Sequence, residues 1–365
     1  LLRHIMKKIL TVVGARPQFI KAAALSKEIQ DSPKLREFII HTGQHYDANM
    51  SQQFFDQLKI PKPTHVFKSN TFSSSSFIGE SVTKIGMAIT ELKPDCLLVF
   101  GDTYSTLAGS VAANAHGVPL AHVEAGLRSF NRNMPEEHNR VVTDHLSDFL
   151  FCPSEVATKN LLQENIGKNK TPIVRNVGDI MFDALKLFAP LASPPENIVD
   201  LDDFLLVTLH RPVNVDSKRN LSRIVDSINL YASHSKVVWP VHPRTRSRMQ
   251  EFGITTSPNV ITIPPASYFQ MLYLTASCTA VMTDSGGLQK EAFFSGKKCF
   301  VVRNETEWNE LVEINASKLI GDGMGKEQDL TLLLKHSEMP HVLSYSPYGK
   351  GETRKSIVSE LEIQL

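Results

Sequence analysis

The chain has 365 residues, 42% hydrophobic and 21% charged, enough for two domains of ordinary size with the balance of a folded enzyme. Its formal net charge of +1 gives no global electrostatic case for nucleic acid or an anionic membrane as partner. No apolar run approaches the roughly 20 residues that span a bilayer, and the first residues do not read as a secretory signal, so a cytoplasmic location is expected.

Residues 9–13 are an unbroken aliphatic run, the pattern of a parallel strand buried on both faces. Gly14-Ala15-Arg16-Pro17 follows, and Pro17 suits the first turn of a helix running to about residue 29. A helix N-terminus is an anion site, and Arg16 and Lys21 add positive charge there. The strand 38–41 leads into Thr42-Gly43-Gln44-His45. His41 and His45 have the spacing of a zinc pair, but that spacing puts two ligands on one face only in a helix, so no metal site is expected. The serine-rich stretch 70–77 reads as a loop before a helix over 79–92.

Strand 96–100 ends in Gly101-Asp102-Thr103, which opens a helix to about residue 116. The apolar run 118–123 ends in Glu124, and Gly126 lets the chain turn. Arg128, Arg132, Glu136, Glu137 and Arg140 come next, carboxylates and guanidinium groups suited to acid/base work on an anionic substrate. A helix over 136–148 and a strand over 149–152 follow. The four cysteines, Cys96, Cys152, Cys278 and Cys299, form no Cys-x-x-Cys pair and read as buried, reduced thiols.

Residues 190–203, with Pro194, Pro195 and several aspartates, have the composition of a linker. Strand and helix then alternate again. Strand 204–209 ends in His210-Arg211, 237–241 in His242-Pro243-Arg244, and 280–282 in Asp284-Ser285-Gly286-Gly287; strand 260–263 lies between, and 299–302 runs into the segment through Trp308. The expected fold is α/β, with two Rossmann-like doubly wound domains over residues 1–175 and 176–351. An amphipathic helix over 352–365 is expected to pack back on the first.

Most of the charged motifs fall at the C-terminal ends of presumed parallel strands, where open α/β sheets bind ligands. Asp102, Glu124 and Glu136 lie on or near successive strand ends. Carboxylates sharing a pocket push each other's pKa values apart, which allows one acid and one base. Asp102 also fits as a plain helix cap, and Glu137, Arg128 and Arg132 read as surface groups. Ser285, Gly286 and Gly287 open a helix, where backbone N–H groups and the helix dipole favour a diphosphate. Glu291 on the same helix suits two ribose hydroxyls; a simple N-cap by Asp284 or Ser285 is the alternative. His210, beside Arg211, and His242 are the cationic candidates here, although a lone histidine such as His242 serves structure as often as function.

These motifs together resemble the non-hydrolysing UDP-N-acetylglucosamine 2-epimerase family. The matching stretches are Gly14-Ala15-Arg16-Pro17 with Lys21, Thr42-Gly43-Gln44-His45, Gly101-Asp102-Thr103, the segment from His122 through Arg128, Pro135-Glu136-Glu137 with Asn139-Arg140, Pro240-Val241-His242, Thr283 through Gly287 with Glu291, and Pro347-Tyr348-Gly349. They run in the family's order along nearly the whole chain. The resemblance implies a GT-B-like pair of domains with the active site between them, a homodimer, a UDP-sugar substrate and no redox cofactor. It implies Asp102, Glu124 and Glu136 as acid/base carboxylates and His210 as a catalytic-site histidine. Arg16, Ser285, Gly286 and Glu291 take the places of UDP contacts, with Lys21, His242, Gly287 and Arg140 in the same pocket. The implied reaction is anti elimination of UDP to a 2-acetamidoglucal, then re-addition with protonation of C2 from the other face.

His210-Arg211-Pro212-Val213-Asn214 departs from the family's usual Arg-Arg-Glu-Asn continuation, and Trp308 stands where an arginine is usual. Both departures are similar to a branch acting on UDP-2,3-diacetamido sugars or their uronic acids. An activator site for a second nucleotide-sugar is implied at Gln44 and His45, but the loop after residue 70 lacks the expected glutamine, so weak or absent activation is expected. The competing readings are a GT-B glycosyltransferase, a hydrolysing epimerase and a non-catalytic nucleotide-sugar sensor. Three carboxylates exceed the single base that an inverting transferase needs.

Overall fold

A computed structural model describes residues 6–44, 55, 57–67, 73–196, 198, 201, 203–322 and 346–365. The chain divides into two compact units, residues 1–187 with 347–365, and residues 188–346.

In the first unit, strands β1 (Lys7–Val13), β2 (Leu35–His41), β3 (His65–Val66), β4 (Cys96–Phe100), β5 (Leu120–Val123), β6 (Phe149–Cys152) and β7 (Ile173–Asn176) form one sheet in the order β3-β2-β1-β4-β5-β6-β7. Every neighbouring pair is parallel. Helices α1 (Arg16–Asp31), α2 (Ser74–Leu92), α3 (Tyr104–Ala115), α4 (Pro135–Leu146), α5 (Glu155–Gln163) and α6 (Ile180–Phe188) are interleaved with these strands, the last reaching the boundary. All five residues of β4 are fully buried, the reason that strand reads as an unbroken apolar run.

The second unit repeats the plan. Strands β8 (Phe204–Thr208), β9 (Lys236–Pro240), β10 (Val260–Ile263), β11 (Ala280–Thr283), β12 (Lys298–Val301) and β13 (Ser317–Leu319) lie parallel in the order β10-β9-β8-β11-β12-β13. The helices are α7 (Pro212–Val215), α8 (Lys218–Ala232), α9 (Pro243–Phe252), α10 (Tyr268–Ser277), α11 (Gly286–Phe294) and α12 (Asn309–Glu313). Successive residues of β8 serve opposite faces: Leu205 and Val207 join one core cluster, Phe204 and Leu206 the other.

Hydroxyl caps set several helix starts. Thr103, Ser154, Ser217 and Ser267 each accept from the backbone N–H three residues on. Ser73 does the same from Ser76, so α2 begins at Ser74 and not near residue 79. The described part of the expected serine loop is therefore the first turn of a helix.

Where the sequence suggested a break after residue 175, the first unit continues to 187. Asp183 in α6 accepts from the backbone N–H groups of Thr353 and Arg354, at 3.0 and 3.2 Å, at the start of α13 (Thr353–Gln364). That helix buries Ile357, Val358 and Leu361 and packs on α1, with Arg354 on Glu28 and Glu362 on Ser32.

One carboxyl inside the first unit costs stability. Glu37 of β2 accepts from the Thr11 hydroxyl at 2.5 Å, its other oxygen is shut off from solvent, and burial raises its pKa to about 7. The folded-state value lies above the unfolded one, so stability falls as pH rises from about 4.5 to about 7 and is level above that. Glu37→Gln should therefore stabilise the protein by about 3 kcal/mol at pH 8 and hardly at all at pH 4.5. Urea unfolding at both pH values checks this, and an equal gain at the two would refute it.

Candidate active site

In each sheet the strand order reverses once, between β1 and β4 in the first and between β8 and β11 in the second. Ligand sites of open α/β sheets lie beyond the strand C-termini at such points. The motifs singled out in the sequence cluster there.

In the first unit, Gln18 ties the two central strand ends together. Its side-chain oxygen accepts from Gly14 and Ala15 N–H at 2.8 and 3.1 Å, and its amide donates to the Phe100 carbonyl at 2.9 Å. Lys21, one turn on and buried, forms an ion pair with the half-buried Glu124. Glu124 has φ +73, left-handed backbone that a non-glycine residue seldom holds. Gly126 turns the chain away at φ +80, where an added Cβ would lie 2.3 Å from the Ala157 carbonyl oxygen. Only glycine fits that turn.

Asp102 pairs with Arg140 of α4, and Asn139 of the same helix donates to the Asp102 carbonyl at 2.8 Å. Arg140, expected to meet substrate, thus bridges Asp102 and Glu137, the second contact at 2.7 Å. Glu137 is no surface group. It is buried and accepts from Ser129 N–H at 2.9 Å and Phe130 N–H at 2.8 Å. Burial works against its charge, but these N–H donors and Arg140 hold its pKa below the usual carboxylate range. Arg128 is buried too, bidentate on Glu164 at 2.7 Å and bonded to Asp144 at 2.7 Å. Despite burial, Glu164 and Asp144 keep its charge secure. Arg132 is exposed, as is Glu136 in the first turn of α4. Phe130 is 70% exposed at φ +57, an aromatic ring held out on left-handed backbone by Glu137. Nothing in the sequence marked it.

Gln44 accepts from the Ser105 N–H at 3.0 Å and hydroxyl at 2.7 Å, at the start of α3. His45 and residues 70–72 lie outside the described residues. Arg16 opens α1, partly exposed.

In the second unit, the fully buried Asp284 joins the ends of β8 and β11. It accepts from His210 N–H at 3.1 Å, Arg211 N–H at 2.9 Å and the Asn214 amide at 3.1 Å, while His210 Nδ1 lies 3.2 Å away. Pro212 begins the single turn of α7 that places Asn214 for this contact. Asp284 is therefore an anchor for the His210 turn and not the cap of α11. Ser285 occupies the cap position, and its side chain makes no capping bond. Gly287 has open space where a side chain would be. His242 is exposed, its ring 5.8 Å from that of His210, and partial burial with His210 and Arg244 nearby lowers its pKa. Glu291 is half-buried on the same helix.

Trp308 donates from its indole to the Gly286 carbonyl at 3.0 Å, and its ring covers the Lys290 ammonium at 3.9 Å. The segment around it thus shapes the first turn of α11. Among the described residues no cluster of His, Cys, Asp and Glu could hold a metal, and no helix is long and apolar enough to cross a membrane.

The sequence profile of UDP-N-acetylglucosamine 2-epimerases matches residues 27–362. A UDP-2,3-diacetamido-2,3-dideoxy-D-glucuronate 2-epimerase from Pseudomonas aeruginosa is 48% identical over 315 residues, covering 86% of this chain and 88% of its own. A UDP-N-acetylglucosamine 2-epimerase homolog from Methanococcus maripaludis is 42% identical, covering 97% of this chain and 99% of its own. The crystal structure of Methanocaldococcus jannaschii UDP-GlcNAc 2-epimerase in complex with UDP-GlcNAc and UDP is similar at a TM-score of 0.87 and 35% identity, over 98% of this chain and 99% of that one. A lipopolysaccharide outer core galactosyltransferase, at a TM-score of 0.53 and 15% identity, shares the fold alone.

Proposed function

The chain belongs to the UDP-N-acetylglucosamine 2-epimerase family, and from that premise we propose that it inverts C2 of a UDP-acetamido sugar bearing a second, 3-acetamido group. The observation that carries the chemistry is the pair of carboxylates, Asp102 and Glu124, at adjoining strand ends of the first unit, each matched to a cation, Arg140 and Lys21. Fixed acid and base groups at one sheet edge suit removal of the C2 proton and delivery of another, with the exposed Glu136 as the third carboxylate. UDP leaves and returns between the two proton steps.

On the second unit the N-terminus of α11, with Ser285, Gly286 and Gly287, stabilises the diphosphate as leaving group. His210 and His242 stand beside it, and Glu291 takes the ribose. Arg16 and Lys21 provide the positive charge on the first unit. The 48% identity to a diacetamido-glucuronate epimerase, with Trp308 reshaping the first turn of α11, supports the 3-substituted sugar. The active form is a homodimer, working in the cytoplasm with no added cofactor.

Proton NMR in D2O, with UDP-GlcNAc and a UDP-2,3-diacetamido uronic acid as substrates, tests this reading. The expected product is the C2 epimer carrying deuterium at C2, with higher kcat/KM for the diacetamido substrate. An unlabelled product would remove the proton-exchange mechanism. A preference for UDP-GlcNAc would remove the substrate assignment, and free sugar with UDP would identify a hydrolase.

A further inference from the structure

We propose that His122 is a positioning residue held as an imidazolium, whose two N–H groups fix the strand ends that carry Asp102 and Glu124. His122 is fully buried in β5, and both ring nitrogens face oxygen. Nε2 lies 2.7 Å from the Gly101 carbonyl and Nδ1 lies 2.7 Å from Asp144 Oδ1. A carbonyl only accepts, so Nε2 must carry a hydrogen.

Asp144 has no proton to lend to Nδ1. Its second oxygen already accepts from Arg128 at 2.7 Å and from Gly126 N–H at 3.1 Å. Burial works against its ionisation, but the charged Arg128 guanidinium bonded to that second oxygen favours the carboxylate whatever the state of His122. Both ring nitrogens therefore donate. Two cations, His122 and Arg128, then face two carboxylates, Asp144 and Glu164, and the buried charges balance.

The ends of this network locate its role. The Gly101 carbonyl immediately precedes Asp102, and Gly126 lies two residues after Glu124. Glu124 has φ +73, a conformation that a non-glycine residue keeps only when its surroundings hold it. One ring and one carboxylate thus clamp both acid/base loops to the sheet. The functional consequence rests on the acid/base assignment above; the protonation does not.

Long-range proton–nitrogen NMR on the full chain labelled with 15N-histidine tests the charge at pH 8, where free imidazole is neutral. The His122 signals are assigned by their loss in His122→Gln. Two protonated nitrogens are expected, and one unprotonated nitrogen overturns the proposal whatever the enzyme's activity. In the folded His122→Gln variant, kcat should fall about 10²-fold, the scale of a small misplacement of reacting groups, with KM within about twofold. A folded variant with unchanged kcat removes the positioning role. Should that variant not fold, through-bond correlation to the assigned backbone identifies the His122 ring in the native protein and its NMR still decides the charge, and kcat of Gly101→Ala, which perturbs the same carbonyl, decides the positioning: an unchanged value removes it. Failure of Asp102 as an acid/base group would show separately, as full activity of Asp102→Asn with an intact imidazolium signal.

Discussion

Asp102→Asn should lower turnover by about 10²–10⁴-fold, the usual contribution of a positioned acid/base group, while UDP binds as before. Asparagine keeps the shape and one oxygen for Arg140, so the loop stays in place and only the ability to exchange a proton is lost. Because Arg140 also holds Glu137 at 2.7 Å, and Glu137 holds Ser129 and Phe130 N–H, substitution of the arginine would disturb the whole loop. The aspartate is the cleaner probe. Calorimetric titration of UDP alongside initial rates separates the two effects. Unchanged turnover would remove Asp102 from the chemistry, and equal losses in binding and turnover would make it a binding group instead.

The strand ends were legible because parallel strands buried on both faces must be written in unbroken aliphatic runs, and each run stops where the chain meets solvent and charge. The strand ends that carry candidate ligand groups could be read the same way, since Gly14, Asp102, His210 and Ser285 each follow such a run closely, but the strand order that makes them switch points could not. Pairing across the fold was not legible. Arg128 and Glu137 sit among charged neighbours, as surface groups do, but Arg128 meets Glu164 and Asp144, a helix or more away in sequence, and Glu137 is enclosed by the Ser129 and Phe130 N–H groups of the loop before it. Burial of a charge depends on those partners and leaves no local pattern. Asp284 shows the same limit: its position before a helix suggested a cap, whereas its donors come from a turn more than 70 residues earlier. The serines before α2 failed for a local reason, because a serine run suits a loop as well as a capped helix start, and only the Ser73–Ser76 contact decides between them. Gln44 adds a contact that was not legible, since its side-chain oxygen holds the start of α3.

The same buried network predicts the largest loss of stability. Asp144 is fully buried, and its two oxygens accept from His122, Arg128 and Gly126 N–H. Its removal leaves the Arg128 guanidinium and the His122 ring facing each other's charge without a counterion between them, and Glu164 reaches only the arginine. Breaking a buried ion pair from one side costs about 3–5 kcal/mol, because the remaining charge stays desolvated. Asp144→Ala should therefore lose at least that much in urea unfolding at pH 7. Asp144→Asn keeps the shape and an acceptor but not the charge, and should recover only part of it. The ionised folded form lies below its unfolded pKa, so the carboxylate's contribution is complete above the ordinary aspartate range and fades as pH falls through the lower folded value. The gap between native protein and Asp144→Asn should accordingly narrow on acidification. A loss below about 1 kcal/mol for the alanine variant, or a gap that widens in acid, would mean that His122 and Arg128 find other counterions and that the clamp is not held by charge.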